Sequence, residues 1–169
     1  MSILTKEEIL KEIKKGKIKI TPFNKNNVGP GSVDLTLDNK FRTFKKSKKI
    51  YNLDENLDYK KLTNFTEKNS IVIKPNETVL AMTKEKITLA ENICGWLEGR
   101  SRFARVGLMV HISASFLQPG INNFQVLEMN NMGKVPLRLN VGTRICQIIF
   151  EKTEGKARYQ GKFRNQIEP

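Results

Sequence analysis

Three arginines and a serine crowd Gly99 to Arg105, which reads Gly-Arg-Ser-Arg-Phe-Ala-Arg, and a lone carboxylate, Glu128, follows in the apolar run Phe124 to Met129. Guanidinium groups suit phosphate because their planar fork donates two parallel hydrogen bonds, and the backbone amides at a helix start add further donors. A carboxyl flanked by apolar neighbours loses water, which raises its pKa, while a nearby arginine lowers it; between these influences a glutamate is tuned to carry protons. A cationic cradle with one such carboxylate points to an enzyme for a polyphosphate substrate. The same residues also read as two surface arginines with a third paired to a carboxylate, and as an outward-facing strand glutamate. At this point both readings stay open.

The other reactive side chains narrow the chemistry by exclusion. His111 is the single histidine, and in Leu-Met-Val-His-Ile-Ser it reads as a hydrogen-bonded packing residue on a strand. Zinc nucleobase deaminases need a His/Cys/Cys or three-Cys cluster with His-x-Glu and Pro-Cys-x-x-Cys signatures, which this sequence lacks. No Gly-x-Ser-x-Gly elbow, Walker loop or Gly-x-Gly-x-x-Gly occurs either, so triad, P-loop and Rossmann chemistries have no support. Cys94 and Cys146 lie far apart in strand-like apolar contexts, as free buried thiols do.

Short strands must position these residues. Thr5-Lys6-Glu7-Glu8 reads as a capping box, Leu4 and Ile9 take the staple positions and Gly16 supplies the stop, so one short helix opens the chain. Beyond it the 3.6-residue period gives way to alternation: Ile18 and Ile20, then Val33, Leu35 and Leu37, with similar runs near 40–44, 71–73, 79–82, 93–97, 108–114, 124–129, 135–139 and 144–150. Gly29-Pro30-Gly31, Pro75-Asn76, Pro119-Gly120, Gly133 and Gly142 punctuate them at the short spacing of a sandwich or barrel. Gly99 and Gly107 bracket a short helical turn carrying the arginines. Asn52 to Asn69 is polar and reads as an insertion loop with a helical turn. The fold class is all-β with minor helix.

With 169 residues the chain is long enough for one domain and its core. The formal charge of +13 attracts anions without choosing among them. Lys45 to Lys49 reads as a solvated loop, because it lacks the interleaved aromatics of a single-strand platform. No apolar run reaches the roughly 20 residues of a membrane span, and Met1 to Lys19 lacks a signal-peptide core, so the expectation is cytoplasmic.

Gly95 to His111, Gln118-Pro119-Gly120, Val126-Leu127-Glu128 and Lys162 to Gln166, in this order and spacing, closely resemble the dCTP deaminase family of the dUTPase-like superfamily. Gly31 to Leu37, followed by Asn39 to Phe44, is similar to the family's first strand motif. The match spans most of the chain outside about residues 45–75. The resemblance implies a distorted β-barrel or jelly-roll subunit with a short N-terminal helix. It implies a single domain over 1–169, in which 45–75 is a variable insertion and 155–169 a tail closing over the nucleotide. It further implies a homotrimer with sites at subunit interfaces, dCTP as substrate, Mg²⁺ bound through the triphosphate, no zinc and dTTP as a candidate feedback ligand. No membrane or specific nucleic acid enters among the partners.

By matching position, Glu128 would be the general base, taking a proton from a water held near Ser101 and passing it to the ring as that water attacks C4. Arg105 would hold charge and geometry around it. Arg100 and Arg102 would hold the triphosphate, Val126 and Leu127 would line the cytosine pocket with Glu128, and Tyr159, Lys162 and Gln166 would close over the nucleotide. The chain departs from the family pattern at Gln118, where most relatives carry Asp, at Ser115-Phe116, where several have His-Arg, and at Arg102, where Ser is common. Gln118 can hydrogen-bond a sugar hydroxyl but cannot act as a carboxylate base, which disfavours pyrophosphate hydrolysis. Two other expectations remain: a dUTP diphosphatase or bifunctional deaminase-diphosphatase, and a catalytically silent nucleotide-binding trimer.

Overall fold

A computed structural model describes residues 2–164 and 166–169; Asn165, inside the Lys162 to Gln166 motif, lies outside the described residues. The chain opens with helix α1 (Lys6–Lys14), acidic at its first turn through Glu7 and Glu8 and basic at its last through Lys11 and Lys14, as the helix dipole favours. Leu4 and Ile9 are buried as the staple requires, and Gly16 ends the helix at φ +70°, a conformation glycine adopts without penalty. The capping box does not form. Thr5 is extended, as an N-cap should be, but its hydroxyl makes no cap bond, and Glu8 turns instead to Lys11 at 3.0 Å.

Among the described residues twelve strands follow in chain order: β1 (Ile18–Thr21), β2 (Val33–Thr36), β3 (Lys40–Phe44), β4 (Thr63–Glu67), β5 (Ser70–Ile73), β6 (Thr78–Leu89), β7 (Ile93–Gly99), β8 (Leu108–Met109), β9 (Phe116–Leu117), β10 (Asn122–Asn131), β11 (Leu137–Asn140) and β12 (Arg144–Lys152), with helix α2 (Ser101–Ala104) between β7 and β8. They form three antiparallel sheets: β4-β3-β6-β10-β8 with β1 also on β6, then β2-β12-β7-β9, and the pair β11-β5. Among the described residues no strand path closes on itself, so the expected distorted jelly roll holds without a closed barrel.

Alternation builds the core. Phe41, Phe150, Leu35, Ile73, Leu127 and Met129 are fully buried, each from the inward side of its strand, and Leu37 joins them just beyond β2. Each such side chain stabilises the fold by about 1.5–3 kcal/mol through the apolar surface it removes from water. Cys94 and Cys146 are free and buried, and burial pushes the Cys94 thiol up.

Two stretches differ from expectation. The run 108–114 stops being a strand at Met109, because the chain turns away to carry His111 toward β10. Asn52 to Asn69 is more than a loop: a 3₁₀ turn (Tyr59–Leu62) leads into β4, which pairs along β3 from Thr63 opposite Phe44 to Glu67 opposite Lys40. Arg42 of β3 fastens this edge, its guanidinium 5.9 Å from the Tyr59 ring and 5.4 Å from the Phe65 ring.

Candidate active site

Strand β10 lies between β6 and β8, with Glu128 opposite Leu80. A register shift between Phe124 and Val126 marks a β-bulge, a device that re-aims side chains at functional sites. Below it the strand alternates, Leu127 and Met129 entering the core while Val126 and Glu128 stay half-buried. Val126 and Glu128 face a cavity of about 470 Å³, bounded also by Leu80 and Leu97 of the sheets, Phe116 to Gln118 of β9 and its turn, and Tyr159, Phe163 and Gln166 of the C-terminal segment. Leu127 does not line it; as a core residue its side chain occupies the opposite face of β10.

Glu128 is the only carboxylate among the described residues lining this cavity. Its Oε2 stands 2.7 Å from Nδ1 of His111, whose ring is largely buried. The two atoms are close but off the line of a hydrogen bond, since neither has an aligned partner. Burial pulls the Glu128 carboxyl upward, yet His111 and the amides of Ile112 and Ser113 together outweigh it and hold the group below its usual value of 4.5. The charged form is therefore favoured in a place whose burial alone would disfavour it. Sequence reasoning placed His111 in packing; nothing in the spacing of His111 and Glu128 shows that a turn after β8 brings them together.

The arginine cradle forms as a short helical turn between β7 and β8, closed at Gly107. Gly107 has φ +89°, and a Cβ there would sit 2.5 Å from the Gly133 amide nitrogen, so only glycine fits. Arg100 is committed within the chain, its Nη2 at 3.1 Å from Asp34 Oδ2 and its Nη1 donating to the Arg144 carbonyl at 2.7 Å. Arg144 reaches the same Asp34 oxygen at 3.4 Å. Ser101, Arg102 and Arg105 are exposed and do not line the cavity of their own chain. The structure thus brings Gln118, Val126, Glu128, Tyr159 and Gln166 together, and leaves Arg100 to Arg105 on a separate surface.

The C-terminal segment docks over the cavity. Tyr159 N–H donates to the Pro119 carbonyl at 2.9 Å beside Gly120, which has φ +72° and whose missing Cβ makes room for Arg158. Gln166 Nε2 donates to the Phe124 carbonyl at 3.4 Å. Lys162 is exposed in an adjoining groove with Asp58, Lys60 and Glu168. Phe116, whose ring centroid lies 4.7 Å from that of Trp96, lines the cavity. Asn123 and Gln125 also reach it; sequence reasoning missed them, although two amides inside an otherwise apolar run were a visible signal.

Residues 3–153 match the family of dCTP deaminase-like proteins. Among curated relatives, the dUMP-forming dCTP deaminase of Methanosphaera stadtmanae is 38% identical over 157 residues, covering 89% of this chain and 79% of that protein. The dCTP deaminase of a Marinomonas species is 40% identical over 166 residues, covering 91% and 85%. Among solved structures, the 2'-deoxycytidine 5'-triphosphate deaminase of Agrobacterium tumefaciens superposes with a TM-score of 0.69 at 18% identity over 88% of this chain, a likeness of fold. This chain spans 46% of the length of that structure.

Proposed function

The chain belongs to the dCTP deaminase-like family, and from that premise we propose that it converts dCTP and water to dUTP and ammonia with Glu128 as the proton carrier. The observation that carries the reading is the single half-buried carboxylate of the cavity, kept ionised by His111 and two amides. As the water oxygen attacks C4 of the cytosine ring, Glu128 takes a proton from that water and passes it to ring N3. It then moves the remaining hydroxyl proton to the amino group, which leaves as ammonia while C4 becomes a carbonyl. General acid–base transfer of this kind contributes about 10²- to 10⁴-fold to a rate.

Val126 beside Glu128 and Phe124 supply an apolar wall for the ring, and Gln118 an amide for the sugar. Tyr159 and Gln166, on a tail comprising residues 155–169, cover the nucleotide, and Lys162 at the rim approaches its phosphates. Ser101, Arg102 and Arg105 are exposed outside their own chain's cavity, which supports a homotrimer in which this segment completes the site of a neighbouring copy. Arg100, held by Asp34, orients that segment. Mg²⁺ is assigned to the triphosphate of the incoming substrate. dTTP, sharing the triphosphate and the pyrimidine outline, would compete for the same cavity. No described helix is long and apolar enough to cross a membrane, in keeping with a cytoplasmic enzyme.

A second reading, dUMP as the product, is favoured by the dUMP-forming relatives. Against it stands Gln118, an amide where a second water-activating carboxylate would be needed. The test is to incubate the purified protein with dCTP and Mg²⁺, separate the nucleotides and assay ammonia and pyrophosphate. dUTP with ammonia and no pyrophosphate supports the first reading; dUMP with pyrophosphate supports the second. Absence of dUTP, dUMP and ammonia overturns both.

A further inference from the structure

We infer that Asn123 and Gln125 are positioning residues that register the C-terminal segment on the cavity. The inference rests on the deaminase reading only for the meaning of the cavity. Both side chains are buried, at 7% and 8% exposure, and border the cavity on the far side of the β10 bulge from Leu127 and Met129, which enter the core. Two amides buried there are costly unless every polar atom is engaged, and a satisfied network rigidifies what it joins.

The network runs across three parts of the fold. Thr83 Oγ1 on β6 accepts from the Gln125 backbone N–H at 3.1 Å, which anchors the bulge. Gln125 Nε2 donates to the Asn123 side-chain oxygen at 2.8 Å and to its backbone carbonyl at 3.2 Å. With Oδ1 so occupied, the Asn123 amide is turned to place Nδ2 on the Phe163 carbonyl at 2.9 Å. Gln125 thus sets the orientation of Asn123, and Asn123 fixes Phe163 and the segment bearing Tyr159 and Gln166. The rest of that segment is held by Tyr159 on Pro119 and Gln166 on Phe124, and beyond them by Lys40 on the Ile167 carbonyl, Arg42 on Glu168 and Pro169, and Lys60 on Glu168. Losing the Asn123 bond would loosen the cover around Phe163 without moving Glu128, so it would weaken nucleotide binding and spare the chemical step.

The test compares Asn123→Asp, which keeps the shape but presents an acceptor to the Phe163 carbonyl, with Gln125→Met, which keeps the volume but removes the amide that orients Asn123. The first readout is tryptic cleavage after Lys162 and Arg164 in nucleotide-free protein. The second is the KM and kcat of dCTP deamination. Both variants should be cleaved about tenfold faster and show a KM raised about tenfold, with kcat within about twofold, the scale of one lost buried hydrogen bond. Wild-type cleavage rates and KM in both variants would overturn the inference, as would a fall in kcat at constant KM. If one variant fails to fold, the other carries the same readouts. The proteolysis needs no substrate, so a wild type that leaves dCTP untouched would sink the deaminase reading while this inference is still decided by cleavage.

Discussion

Glu128 Oε2 and His111 Nδ1 stand 2.7 Å apart at the floor of the cavity, one on a long central strand and the other on a turn that interrupts a neighbouring one. Burial alone would raise the carboxyl's pKa; the histidine and the amides of Ile112 and Ser113 outweigh it and hold the group below its ordinary value. A folded-state carboxyl held below its ordinary value contributes stability that is present above the unfolded pKa and is lost as pH falls through the folded one. For the reaction, it keeps the base available in mildly acidic solution.

The acid limb of kcat/KM for dCTP should therefore lie below pH 4.5, the ordinary value for the group. In His111→Phe that limb should move upward, because burial is then opposed only by the two amides. A pH–rate profile of both proteins measures this. An acid limb at the same pH in the variant would show that His111 does not govern the base.

Glu128→Gln should lower kcat by about 10²- to 10⁴-fold, the range for a lost proton carrier. The amide is nearly isosteric and can still bond the cytosine edge, so the dissociation constant for dCTP should change by less than about tenfold. Calorimetry and ammonia release separate the two. Undiminished turnover would remove Glu128 from the mechanism.

Gln118→Asp should introduce the carboxylate that the cavity lacks for phosphoryl chemistry. Pyrophosphate release from dUTP should rise by about tenfold or more over the wild type, since a positioned base is worth at least that much. Coupled pyrophosphate detection with dUTP as sole nucleotide is the measurement. Rapid pyrophosphate release by the wild type would overturn the role drawn for Gln118.

Leu127→Ala and Val126→Ala should part company although the residues are adjacent. Leu127 is fully buried in the core, so its truncation should cost about 2–5 kcal/mol, visible as a fall in the thermal midpoint with the apparent KM little changed. Val126 faces the cavity, so its truncation should raise KM with a much smaller loss of stability. The same midpoint for both variants would contradict the two-faced strand.

Much of this frame is legible in the alternation of Val33, Leu35 and Leu37 or of Ile145 to Phe150, because a strand with one buried face writes its period into the chain. The β4 edge is not, since Phe65 is its one large apolar residue and its support comes from Arg42 on another strand. Within the site, Glu128 stands out as a charge in an apolar run. The partner of Arg100 does not, because Asp34 belongs to a different strand and only the pairing of β2 with β12 and of β12 with β7 brings it near. Motif position placed Leu127 in the pocket with its neighbours, whereas alternate residues of a strand point to opposite faces and Leu127 lies in the core.

The chain has one tryptophan, and its ring leans at 45° on Phe116 of the cavity wall with centroids 4.7 Å apart. Half-exposed and in contact with the wall on one side, its indole makes the molecule its own optical probe: its fluorescence would report an occupant's arrival without any label.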